Sequence, residues 1–142
     1  MIHVATAGDA ERVRALFREY ADELGIDLSF QDFDSEIADP LRFYDVVLLA
    51  PHGSVAVRRL DAETCEMKRL YVQPAARGGG LGRALAEAAI AHARARGYDA
   101  MRLDTLPTMH AARALYAELG FREIDPYREN PVAGTTYLEL AL

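Results

Sequence analysis

Val13, Leu16, Phe17, Tyr20 and Leu24 recur at the spacing of one helix face, and Gly25 marks the helix end. Thr6 and Asp9 precede that helix at capping-box spacing, with Asp where Glu or Gln is usual. The polar–aromatic stretch DLSFQDFDSEIADP predicts a short helix closed before Pro40. VVLLA and SVAVRRL read as strands joined by the tight turn PHG, and TCEMKRLYV as a third strand stopped by Pro74. A helix over about residues 80–96 puts Leu81, Leu85, Ala88 and His92 on one face and ends at Gly97. AMRLDT is a strand. MHAARALYAEL is a helix with Ala112, Leu115, Tyr116 and Leu119 on one side, closed by Gly120. HVATA opens the chain as a strand; FREI and TTYLELAL close it, separated by DPYRENPVAG. The predicted order, β-α-α-β-β-β-α-β-α-β-β, describes an α/β (mixed α+β) protein. Its sheet is antiparallel at first, with a parallel crossover through the helix at 80–96.

The chain's 142 residues suit a single domain, 1–142, and 51% hydrophobic residues can build its core. Apolar runs are too short for a membrane span, and MIHVATAGDAERVRALF lacks the apolar segment of a signal peptide, so a cytoplasmic protein is expected. One cysteine, Cys65, excludes an internal disulfide, and the four scattered histidines show no metal-ligand spacing. A net charge of −6 disfavours nucleic acid as the main partner.

The feature that narrows function lies in QPAARGGGLGRAL. Four of the five positions from Gly78 to Gly82 are glycine, immediately before a strong helix former. Glycine costs roughly 1 kcal/mol against alanine inside a helix, so local stability does not explain the cluster. A strand, a glycine-rich turn and a helix N-terminus together make an anion site, where free N–H groups and the helix dipole face a ligand without Cβ in the way. Arg77 and Arg83 flank the turn. The segment fits neither the P-loop pattern nor G-x-G-x-x-G. A pyrophosphate-bearing cofactor is the expectation.

Arg77-Gly78-Gly79-Gly80-Leu81-Gly82 fits R/Q-x-x-G-x-G/A, and with it the chain resembles the GNAT N-acetyltransferases. EMKRLYVQPAARGGGLGRAL is similar to that family's central strand, loop and pyrophosphate-binding helix, and AARALYAELGF to its next helix. The resemblance is specific over about residues 64–125 and matches in pattern before that. It implies a GNAT-like fold and an acetyl-CoA-dependent enzyme, without metal, that acetylates a primary amine of a small molecule by direct attack. Two alternatives stay open: a catalytically idle CoA-binding regulatory module, and a peptide or protein N-terminal acetyltransferase. A homodimer is also left open.

By the same resemblance, Arg77, Gly78, Gly79, Gly80, Leu81, Gly82 and Arg83 hold the pyrophosphate, and Leu70, Tyr71 and Val72 offer backbone to the pantetheine arm. Tyr116 matches the tyrosine that protonates the leaving sulfur; a phenol is protonated at neutral pH and can donate. Glu66 matches a general base, with Asp104 as its rival on the next strand and His110 a weaker third. Met109 departs from the Asn that many relatives carry there. The acceptor walls are expected from Tyr20, Phe30, Phe33, Tyr44 and the segment 127–134, with Tyr127 and Asn130 as substrate-binding residues; Asp27, Asp32 and Asp34 would suit an ammonium group.

Overall fold

Period-two alternation lays out one sheet whose two faces are covered by different helices. The computed structural model describes residues 1–25, 28 and 32–142. Among these, the strands are β1 (His3–Val4), β2 (Val46–Ala50), β3 (Gly53–Arg59), β4 (Thr64–Val72), β5 (Ala100–Thr105), β6 (Arg122–Ile124) and β7 (Thr136–Ala141). The helices are α1 (Ala10–Leu24), α2 (Phe33–Ala38), α3 (Pro40–Phe43), α4 (Leu81–Ala95) and α5 (His110–Leu119). The sheet order is β1-β2-β3-β4-β5-β7-β6. Every neighbouring pair is antiparallel except β4–β5, which α4 connects in parallel.

The predicted elements are present, with three differences. The opening strand pairs with β2 only over His3 and Val4. Pro40 also begins a second short helix, α3; a proline suits that first helical position because its missing N–H has no partner to lose there. The buried face of α4 is Leu85, Ala86, Ala89, Ile90 and Ala93, turned from the predicted row, with Leu81, Ala88 and His92 only partly buried. In an alanine-rich helix the apolar pattern is nearly all-round, so the small residues that let the helix lie close to the sheet decide the face.

α4 and α5 pack with Val55, Val57, Cys65, Met67, Met101 and Leu103 on one side of the sheet. On the other side, Val13, Leu16 and Phe17 of α1 meet Tyr44, Val47, Leu49 and Ala56. Gly53 sits where β3, β4 and α4 crowd together. A Cβ there would lie 2.7 Å from the Tyr71 carbonyl oxygen and 2.9 Å from Leu85 Cδ1. Gly53→Ala is expected to cost about 1–3 kcal/mol through overpacking. A denaturant midpoint equal to wild type would show that this backbone yields freely.

Two irregularities of β4 open the sheet. Ser54 pairs with Tyr71 but Ala56 with Lys68, so β4 carries one extra residue between them, a β-bulge. Arg69 at the bulge has φ 59°, the left-handed region that residues other than glycine rarely adopt. Its guanidinium is gripped by Glu36 of α2 through two hydrogen bonds of 2.8 Å, both residues being buried. That fork-to-fork pair holds the strained position and ties α2 to the sheet. β4 pairs with β5 only over Thr64–Glu66. Beyond Glu66 the two strands separate, and β4 turns a row of backbone groups to the gap.

Candidate functional site

A cleft of about 540 Å³ runs from that gap to the N-terminal ends of α4 and α5. Leu70, Tyr71 and Val72 line it from β4, Arg77, Gly78, Gly80, Leu81 and Gly82 from the turn and first turn of α4. Tyr20 of α1 closes one side; Met109, just before α5, and Ala112 and Leu115 of α5 close the other. This size lies within the range of small-molecule and cofactor sites.

The glycines make the anion end. Gly78 and Gly80 have φ of 89° and 85°. Gly80 caps α4 with no side chain over its free amides, and the first helical bond runs from Ala84 N–H to the Gly80 carbonyl at 3.0 Å. The N–H groups ahead of Ala84 are therefore left to a ligand, at the positive end of the dipole. Arg77 donates from Nε to the Val72 carbonyl at 2.9 Å and from Nη2 to both oxygens of Glu23 at 2.7 Å. Arg83 pairs with Glu118 of α5. Both ion pairs are exposed, and exposed pairs are worth at most about 1 kcal/mol, so an arriving anion can draw either guanidinium. Bare backbone, free amides and two arginines fit a diphosphate. Gly79 and Arg83 stand beside the cleft rather than in its lining.

Met109 lines the cleft and turns its sulfur back on the chain. Its Sδ accepts from Leu106 N–H at 3.4 Å, which fixes the start of α5. Arg113 anchors the same corner through the Leu106 carbonyl at 3.0 Å and the Gly134 carbonyl at 2.9 Å. His110 opens α5, exposed, at the cleft rim.

Tyr116 is buried against Phe121, with ring centroids 5.6 Å apart. Burial, and then the nearby Tyr20 and Asp104, push its phenol above the ordinary value. Tyr116 thus stays protonated at any working pH.

The sheet face turned away from α4 carries the other candidates. Glu66 is fully buried. Its Oε2 accepts from the Tyr127 hydroxyl at 2.5 Å and from Arg128 Nη2 at 2.6 Å. Its Oε1 has no hydrogen-bond partner among the described residues and lies 4.0 Å from Lys68 Nζ. Burial, then Arg69, lower the Lys68 pKa to about 8. Asp104 is partly exposed and accepts a 3.4 Å contact from Asn130 Nδ2. Tyr127 and Asn130 therefore meet the two carboxylates, one each, and Tyr20 lies between this face and the cleft. Phe33 and Tyr44 pack on the α1–α3 side; Phe30 and Asp27 lie outside the described residues. Asp32 and Asp34 are exposed at the start of α2.

Sequence reasoning missed Arg128, Glu36 and the placement of Lys68. A signal existed: Glu66, Lys68 and Arg69 sit in a strand with neighbours on both sides, and charges there need partners from elsewhere in the chain. Among the described residues no group of three or more His, Cys, Asp or Glu could hold a metal ion, and no helix is long and apolar enough to cross a membrane.

Comparison with known proteins meets this geometry. An uncharacterized N-acetyltransferase of Schizosaccharomyces pombe is 38% identical over 94% of this chain and 89% of its own length. A GNAT-family acetyltransferase structure from Staphylococcus aureus superposes with TM-score 0.82 at 18% identity, covering 99% of this chain and 98% of that one. A GNAT-family acetyltransferase from Elizabethkingia anophelis with acetyl-CoA bound superposes with TM-score 0.68 at 20% identity, covering 100% and 97%. The sequence pattern of the acetyltransferase (GNAT) family matches residues 10–121, and the chain belongs to that family of acetyl-transferring enzymes.

Proposed function

We propose that the protein transfers acetyl from acetyl-CoA to a primary amine of a small molecule by direct attack. The observation that supports this most is the join of two features: an uncapped, glycine-led helix N-terminus and the unpaired edge of β4, continuous in one cleft. Acetyl-CoA supplies an acetyl thioester from which a thiolate departs. The backbone of Leu70, Tyr71 and Val72 can pair with an extended arm as a strand would, and a fixed N–H there can polarise the thioester carbonyl. The amine must arrive at the acetyl carbon as the free base. As its new bond to carbon forms and the carbon–sulfur bond breaks, a carboxylate takes the amine's proton and Tyr116 donates to the departing sulfur.

Two carboxylates compete for the first task. Glu66 has one oxygen occupied twice and is sealed from solvent. Asp104 is reachable and lightly engaged. We assign proton acceptance to Asp104 and the holding of the 127–130 segment to Glu66. Asp104→Asn is expected to lower kcat by roughly 10²-fold or more, with the deficit shrinking at high pH as free amine accumulates. Glu66→Gln should raise the acceptor KM through the loosened segment and keep the wild-type pH profile. The reverse pattern in pH–rate profiles would exchange the two roles.

The test of the function is CoA release with a panel of polyamines, amino acids, aminoglycosides and short peptides. Acetyl-CoA binding without CoA release on any amine would leave a binding module. Release with peptides alone would point to peptide acetylation.

A further inference from the structure

Two of the charged pairs on the acceptor face cancel: Arg69 with Glu36, and Arg102 with Glu139 at 2.7 Å. Around the buried Glu66 stand Lys68, Arg128 and, directly opposite on β3, Arg58, with Asp104 farther along β5. Register sets Arg102 beside Glu66, so Asp104 stands two residues farther along β5 as Lys68 does along β4, on the same face. Glu66 lies between Lys68, at 4.0 Å, and Arg128, at 2.6 Å. Two cations, Lys68 and Arg128, thus flank one carboxylate, and Asp104 stands beside them. Asp104 is partly exposed and meets Asn130 Nδ2 at 3.4 Å, and Asn130 follows Arg128 by two residues.

Arg128 is the more exposed of these two cations. Its guanidinium rests on the Tyr127 ring, 5.0 Å from the centroid, and Arg102 approaches the same ring at 5.5 Å. It meets Glu66 with Nη2 alone. Its Nε and Nη1 have no acceptor among the described residues, although the side chain is only 22% exposed. Arginine presents five donors in a rigid fork suited to carboxylate. A largely enclosed guanidinium with most of that fork unused, stacked on the Tyr127 ring and paired with Glu66, suits an anionic group.

We infer that the acceptor is an aminocarboxylate, its ammonium held at Asp104 and its carboxylate on the free donors of Arg128. This rests on the acetyl-transfer reading and alters no step of it; it names the acceptor's second charge. A plain alkylamine would place its cation beside Asp104 and leave the Arg128 fork unfilled. A diamine would bring a second cation against Lys68 and Arg128.

The experiment compares α-, β- and γ-amino acids with their carboxamides, and with carboxylate-free amines, in initial-rate CoA release. The best free acid is expected to exceed its own amide by about 10- to 100-fold in kcat/KM, the scale of a charge-assisted hydrogen bond. Arg128→Lys keeps a cation opposite Glu66 but loses the fork, and it should collapse that ratio about tenfold or more. A thermal melt establishes that the variant is folded. Amides or carboxylate-free amines used as well as free acids would overturn the inference while leaving acetyl transfer intact. So would an unchanged ratio in folded Arg128→Lys. If no amine releases CoA, calorimetry of the same amino acids against the CoA-bound protein decides, and absence of binding there also overturns it.

Discussion

Tyr116→Phe should cut the single-turnover rate of acetyl transfer by at least roughly 10²-fold, the lower part of the range for general acid catalysis. The residue separates a packing role from a chemical one. Its ring is core, buried against Phe121 on the α4 side of the sheet. Its hydroxyl has no hydrogen-bond partner among the described residues, so its removal leaves nothing unsatisfied and stability should move by about 1 kcal/mol or less. The chemistry sets the size of the loss. Burial, Tyr20 and Asp104 raise the phenol's pKa, whereas a free thiol titrates near 8.5, so complete proton transfer from Tyr116 to the thiolate is uphill. The benefit is a hydrogen bond to charge developing on sulfur, absent in the ground state. Acetyl-CoA affinity should therefore change little while the chemical step slows. A wild-type single-turnover rate in folded Tyr116→Phe would leave a core tyrosine and move the search for the acid to the residues that line the cleft.

What the sequence disclosed were features with local causes. Gly25 and Gly120 end α1 and α5 with φ of 66° and 99°, where a glycine after an amphipathic run says they should. VVLLA is β2 to the residue because strand length and flanking turns are local. The glycine cluster and the strand before it were legible for the same reason, and they fall in one cleft. The acceptor face was not legible. Arg69 finds Glu36 thirty-three residues away, and Tyr127 finds Glu66 sixty-one residues away. No periodicity encodes such pairings; they follow from which strands the crossover through α4 makes neighbours. The bulge at Arg69 is hidden likewise, since a left-handed arginine has no turn signature and persists through a partner on another element.

Gly82→Asp should abolish measurable acetyl-CoA binding, a loss of at least roughly 10²-fold, in a protein no less stable than wild type. The reasoning turns on where Gly82 sits. It is the second residue of α4, with helical backbone and no positive φ, so a side chain is conformationally allowed. A Cβ there would meet Val72 Cγ2 at 3.8 Å, an ordinary contact. Replacing glycine removes a helix penalty of roughly 1 kcal/mol, and an acidic group in the first turn gains about 0.3–1 kcal/mol from the dipole. Every folding term is neutral or favourable, which distinguishes position 82 from Gly80, where φ of 85° would strain any replacement. Binding reverses the sign of the same interactions. The carboxylate would occupy the free amides that a diphosphate needs, and its charge would repel phosphate within a few ångströms. Gly82→Asn carries nearly the same volume without the charge and should keep part of the affinity, dividing steric exclusion from repulsion. Titration calorimetry with acetyl-CoA, read beside the melting temperature, decides the matter. Wild-type affinity in folded Gly82→Asp would mean that no phosphate sits on the first turn of α4, and the glycine run would need another explanation.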